Sequence, residues 1–171
     1  PSELASSLSN EGASWYPDTA LTIGRVPKEV CVRADEKGRL SREMTGGMAI
    51  VEALIANGVD TVFGLPGAQL YALFDALQQR SDRVRTVGAR HEQACGYMAF
   101  GYARSTGRPG VFAAVPGPGI LNTGAALCTA YGCCAPALCI TGQVPSAFLG
   151  RGRGHLHELP DQLATLRSIT K

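Results

Sequence analysis

The sequence predicts an α/β fold, a parallel sheet with helices on both faces. Three observations carry this. Short β-branched or apolar runs alternate with segments whose apolar residues recur at helical spacing. The run at 111–115 is almost continuously apolar, as expected of a parallel strand buried on both faces. Each run also leads into a turn bearing glycine or proline. Such alternation implies right-handed βαβ units, and 171 residues with 45% hydrophobic and 18% charged side chains suit one globular domain.

Residues 1–43 show no sustained period and are interrupted by Gly12, Pro17, Gly24, Pro27 and Gly38, which reads as an irregular lead-in. Within it, Trp15 and Tyr16 either dock on the domain or stay exposed. The domain proper spans 44–171. Thr45 is placed to cap a first helix with Met48, Val51, Leu54 and Ile55 on one face, and Gly58 stops it. A strand at 61–63 follows, then the turn Gly64-Leu65-Pro66-Gly67 and a helix carrying Leu70, Leu73, Phe74 and Leu77. Residues 84–87 read as a strand, and 92–104 as a helix with Ala94, Cys95, Met98, Ala99 and Tyr102 inward. After the strand at 111–115, Pro116-Gly117-Pro118-Gly119 opens one helix running through Tyr131. A strand at 137–141, a glycine-rich tail and a short helix at 160–167 complete the chain.

Composition excludes several classes of function. The net charge is +2, and Lys and Arg are scattered without a basic stripe, so no nucleic-acid surface is expected. No apolar run approaches the roughly 20 residues that cross a bilayer, so no membrane span is expected. The N-terminal segment lacks the apolar core of a signal peptide and carries Glu3, Glu11, Asp18 and Glu29, unlike a transit peptide. A cytoplasmic location is the expectation, and Pro1 in place of Met suggests a lost or processed start. Of the six cysteines, Cys128, Cys133, Cys134 and Cys139 crowd together. Zinc sites pair their ligands as C-x2-C or C-x4-C together with a second pair, but the adjacent Cys133 and Cys134 side chains would point in different directions, so buried small hydrophobes are the expected role.

In open α/β sheets ligands bind beyond the carboxyl ends of the strands. That directs attention to Gly64-Leu65-Pro66-Gly67, Gly88-Ala89-Arg90-His91-Glu92, Pro116-Gly117-Pro118-Gly119 and Gly142-Gln143-Val144-Pro145. None matches a dinucleotide fingerprint or a P-loop. Glu92 lies at a strand-to-helix junction, and spacing alone leaves two readings open: a catalytic carboxylate, or one favoured by the helix dipole. His155, His157 and Glu158 are open to a metal or a solvated-loop reading, and Arg151 and Arg153 to an anion-contacting or a solvated one. No nucleophile triad can be defended, since G-x-S-x-G is missing.

Five segments, taken in order, resemble a known family. They are the run 58–67 (GVDTVFGLPG), Arg90-His91-Glu92-Gln93, Gly101-Tyr102-Ala103-Arg104, Gly117-Pro118-Gly119 with Asn122, and Ile140-Thr141-Gly142-Gln143-Val144-Pro145. Over 44–171 the chain resembles the N-terminal domain of acetolactate synthases and related thiamine-diphosphate carboligases and decarboxylases, transferases and lyases. The resemblance implies a flavodoxin-like domain that holds the cofactor's aminopyrimidine. It aligns Glu92 with the family's cofactor-activating glutamate, which hydrogen-bonds N1′ of the pyrimidine and so promotes removal of the thiazolium C2 proton. A partly desolvated carboxyl group suits that role, because it can share a proton with a weakly basic ring nitrogen. The same alignment implies that Gly67, Pro118 and Asn122 line the pyrimidine pocket and that Gln143 approaches the reacting centre.

The implied substrate is a 2-keto acid, with pyruvate as the donor. The implied partner is a diphosphate-binding domain, on the same or another chain, that brings magnesium. FAD is implied for a central domain of the full-length enzyme, and a homo-oligomer for the assembly, with the helix at 92–104 and its small Gly96, Ala99, Gly101 and Ala103 as the contact face. Pro116 departs from the family's small hydroxyl residue at that position, which alters the pocket. No Gly-Asp-Gly followed by an Asn-bearing loop is present for magnesium, so the expectation is a fragment inactive alone. The alternatives are the pyrimidine-binding subunit of a two-chain 2-keto acid decarboxylase, or an orphan interaction domain.

Overall fold

The computed structural model describes Arg33–Ala34, Leu40–Ser41 and residues 44–171. The first two are β1 and β2, a two-residue antiparallel ribbon within the segment expected to be irregular. Trp15 and Tyr16 lie outside the described residues.

Thr45 caps α1 (Gly46–Ala56) by accepting the Met48 N–H at 3.1 Å, and Gly58 leaves the helix at φ 76°. β3 (Thr61–Gly64) is buried throughout and feeds α2 (Tyr71–Gln79), which ends where Arg80 meets Glu52 of α1 at 2.6 Å. β4 (Arg85–Gly88) is largely exposed. α3 (Glu92–Thr106) runs past its expected end to Gly107, whose φ of 70° stops it. β5 (Gly110–Ala114) is fully buried.

One helix expected after β5 is in fact two, α4 (Pro118–Asn122) and α5 (Gly124–Gly132). The junction is Thr123, which is completely buried and whose hydroxyl donates to the Ile120 carbonyl at 2.7 Å. That bond offers the backbone an alternative to the helical ladder. β6 (Ala137–Thr141) matches its expected range. α6 (Gln162–Arg167) starts later than expected because the Asp161 side chain caps it, accepting from Ala164 N at 2.8 Å.

The four main strands are all parallel in the order β4-β3-β5-β6. The chain steps from β3 to one side and returns to the other, so the sheet has its switch point between β3 and β5. Alternate strand residues feed two cores. Val62, Val111 and Ala113 pack with α1 and α2 residues such as Val51, Leu73 and Leu77, whereas Phe63 and Phe112 pack with Cys95, Ala99 and Leu127 of α3 and α5. This is the expected α/β architecture, with helices on both faces.

Three expectations about side chains are corrected. The small residues Gly96, Ala99 and Ala103 of α3 are buried inside the domain, where a Cβ at Gly96 would lie 2.7 Å from Ala126 of α5. They therefore do not present a face for another subunit; Gly101 alone of the four is exposed. Ala94, expected inward, is exposed, because the buried stripe passes through Cys95, Gly96, Ala99 and Ala103. Among the cysteines, Cys95 is buried, but Cys128 on α5 and Cys133 and Cys134 just after it are exposed rather than packed as core. Burial pushes the Cys139 thiol up to about 12. Cys31 lies outside the described residues. Among the described residues no helix is long and apolar enough to cross a membrane.

Candidate functional site

The candidate residues lie beyond the carboxyl ends of all four main strands: Gly67 after β3, Glu92 after β4, Pro118 and Asn122 after β5, and Gln143 after β6, around the switch point between β3 and β5. Glu92 is the first residue of α3 and half-buried. His91 precedes it in extended conformation as the N-cap, with Nδ1 accepting the Gln93 N–H at 3.2 Å. The neighbouring histidine thus holds the helix start and does not pair with the carboxylate. A negative charge there is favoured by the helix dipole.

Asn122, the last residue of α4, donates from Nδ2 to Glu92 Oε2 at 3.0 Å. Oε1 accepts no hydrogen bond from any described residue and faces Gly119, where a Cβ would stand 3.4 Å from it. That same Cβ would come within 2.4 Å of Val115 Cγ2, and one on Gly67 within 2.7 Å of Val115 Cγ1. Val115 therefore stands between two glycines from different loops, and a side chain on Gly119 would fill the space beside the carboxylate. Cys95, fully buried one turn along α3, has its thiol pushed up by burial and by the charge of Glu92, so it stays protonated.

Pro118 is exposed as the first residue of α4, where its fixed φ suits a helix start. Before it, Gly117 adopts φ 64°, and a Cβ there would lie 2.5 Å from the His157 carbonyl oxygen. No other residue type fits that position without strain. Gln143 stands one strand further along the sheet, half-buried, with Oε1 accepting the N–H of Val144 at 2.8 Å. The structure thus joins Glu92, Asn122, Gly119 and, through Val115, Gly67. It places Pro118 on the same short helix and Gln143 on the adjoining loop.

The segment at 146–158 folds over these loop ends. His157 bonds through Nδ1 to Gln69 Oε1 at 2.8 Å, and both residues have positive φ, 68° and 67°. His155 stacks on Phe148 with ring centroids 4.5 Å apart. Glu158 accepts the backbone N–H groups of Gly152 and His155 at 3.0 and 2.8 Å, which hold its carboxyl below the usual range. The two histidines are accordingly packed and bonded rather than merely solvated. Among the described residues no group of three or more His, Cys, Asp or Glu could hold a metal. Arg151 and Arg153 are exposed.

Sequence reasoning missed Gln69, Val115 and Gln162. No local signal marks Gln69 as left-handed. Val115 reads as the end of a strand. Gln162, 4% exposed, lies in a segment whose only visible signal is the Asp161 cap.

Residues 44–165 match the family described as thiamine pyrophosphate enzyme, N-terminal TPP binding domain. The chain is 44% identical over 129 residues to a probable 2-ketoarginine decarboxylase of Pseudomonas aeruginosa, a match covering 75% of this chain and 23% of that protein. It is 40% identical over 128 residues to the mitochondrial acetolactate synthase catalytic subunit of Saccharomyces cerevisiae, covering 75% and 18%. A probable acetolactate synthase large subunit of Methanocaldococcus jannaschii is 42% identical over 128 residues, covering 75% and 21%. The matched region thus spans about a fifth of each relative.

Proposed function

The chain belongs to the thiamine pyrophosphate enzymes, as an N-terminal TPP binding domain, and from this we propose that Glu92 is the carboxylate that activates the pyrimidine of bound thiamine diphosphate. The observation that carries the reading is the Glu92 carboxylate itself. One oxygen is held by Asn122, and the other, without a partner among the described residues, faces Gly119, whose missing side chain leaves room beside it. That arrangement suits a flat aminopyrimidine, which needs one carboxyl oxygen for a ring nitrogen and close backbone approach for its faces.

When bound, thiamine diphosphate supplies an acidic carbon and an electron sink for carbon-carbon bond cleavage and formation. The chain's part is to place and hold protons. Asn122 fixes the plane of the Glu92 carboxyl by occupying Oε2, which leaves Oε1 as the oxygen that would hold or release a proton toward a bound pyrimidine. Gly67, Pro118 and Asn122 would line the pyrimidine, and Gln143 would approach the reacting centre. Magnesium enters with a diphosphate-binding domain of the same or another chain, and FAD belongs to a central domain of the whole enzyme. The whole enzyme acts in the cytoplasm as a homo-oligomer on a 2-keto acid.

Pyruvate is the donor that acetolactate-synthase chemistry implies. The 44% identity to a probable 2-ketoarginine decarboxylase favours a second reading, in which the donor is a 2-keto acid with a cationic tail. The test is Glu92→Gln in a complete enzyme carrying this domain, with C2-proton exchange of bound thiamine diphosphate followed by NMR after acid quench. Loss of a general acid/base lowers such a rate by about 10²- to 10⁴-fold. Equal exchange at equal cofactor occupancy would leave Glu92 as a helix-terminus carboxylate only.

A further inference from the structure

We infer that Gln162 is a positioning residue for the Glu92 carboxylate. This rests on the reading of Glu92 just given. Gln162 is the one buried amide side chain among the described residues, 4% exposed at the start of α6, and both ends of its amide are used. Oε1 accepts the N–H of Gly117 at 3.0 Å, and Nε2 donates to the carbonyl of Gly142 at 3.0 Å. One side chain therefore ties the backbone of the loop after β5 to the backbone of the loop after β6.

The consequence runs through α4. Gly117 is its N-cap, and α4 spans only Pro118–Asn122, so the position of Gly117 sets that of the whole turn. Its far end is anchored by buried Ile120 and Thr123, 1% and 0% exposed. Its near end is held by Gln162 on one side and faces the His157 carbonyl on the other. Gly119, which faces Glu92 Oε1, and Asn122, which donates to Oε2, both ride on this turn. If Gly117 shifts, the oxygen that Asn122 holds and the oxygen left for a ligand shift with it.

The pattern of donor and acceptor is specific to an amide. Gln162 must accept from an N–H and donate to a carbonyl from a buried side chain. A leucine does neither, and a carboxylate would turn an acceptor toward the Gly142 oxygen. A protonated carboxyl, by contrast, can accept with its carbonyl oxygen and donate with its O–H, and so reproduces both bonds. Burial raises the pKa of such a carboxyl into an accessible range. Q162E is therefore a variant that pH itself switches between a mimic of the amide and a broken clasp.

The experiment compares parent, Q162L and Q162E as full chains. It reads exchange of the Gly117 amide, the side-chain amide signals of Asn122 and the carboxyl carbon signal of Glu92 by NMR. Q162L should speed Gly117 exchange about tenfold, the worth of one hydrogen bond, and move the Asn122 and Glu92 signals together. Q162E, read against the parent at each pH, should match it near about pH 5 and depart from it by about pH 8 as the carboxyl ionises. Should Q162L fail to fold, Q162E alone decides. The inference is overturned if Gly117 exchange rises while the Asn122 and Glu92 signals stay at parent values, or if Q162E shows no dependence on pH relative to the parent. These readouts need no cofactor. A positive result beside a Glu92→Gln variant with undiminished C2 exchange would keep Gln162 as the clasp and overturn the function assigned to Glu92 instead.

Discussion

The chemistry at the scale of single residues depends on what surrounds each polar atom. Glu92 and Asn122 were legible because both sit in short segments of the family pattern, yet their 3.0 Å bond joins residues that only folding brings together. Gly119 shows the complementary constraint. Gly119→Ala would press a methyl group to 2.4 Å from Val115 and fill the space beside Oε1. Overpacking of this kind costs about 1–3 kcal/mol, so urea denaturation should show lost stability and calorimetry weakened thiamine diphosphate binding in a complete enzyme. Thr141 points the other way. Its hydroxyl is buried without a hydrogen-bond partner among the described residues. Thr141→Val replaces that oxygen by a methyl group of similar size, so the same denaturation measurement should show a gain of about 1 kcal/mol; a loss of that size would mean that the hydroxyl has a partner in solution.

Elements in this fold are set by their ends as much as by their faces. The Thr45 cap was visible in the sequence and is formed, so Thr45→Ala should cost about 0.5–2 kcal/mol in thermal or chemical unfolding. The split between α4 and α5 was not visible, because it depends on a threonine whose burial follows from tertiary packing. Between elements, Asp60 before β3 binds Arg108 after α3 at 2.7 Å and accepts the Tyr102 hydroxyl at 2.9 Å. The bonds from Arg108, Tyr102 and Thr61 hold its carboxyl down from 3.8 to about 2. A depressed folded pKa contributes stability that is fully present above about pH 4 and is lost as pH falls through about pH 2. The pair is exposed and screened by solvent, so the effect is small. Asp60→Asn should therefore narrow the stability gap to the parent as pH drops from about 5 to about 2, and high salt should narrow it at any pH.

For the molecule as a whole, the sheet sets the order of stability. β5 is buried at every position and paired on both sides, whereas β4 and β6 each pair on one side only within the main sheet. Native-state hydrogen exchange should accordingly find the slowest amides in β3 and β5, with β4 faster because it is also largely exposed. Uniform protection across all four strands would mean that the edges are covered in solution, as assembly would cover them.

The sequence by itself determined the layered α/β plan, the place of each main strand, the Thr45 cap and the loops in which a site would lie. Period, β-branching and turn residues are local properties, and strand ends carry the loops wherever they go. It also determined Glu92 as the candidate carboxylate through the family pattern. Only the tertiary structure decided which face of α3 is buried, since Gly96 and Ala103 carry too little apolar surface to announce themselves. It alone decided that three of the clustered cysteines are exposed, that His157 meets Gln69, and that Gln162 clasps two loops. Those facts depend on contacts between residues far apart in the chain, and no local period records which distant backbone N–H a buried amide will meet.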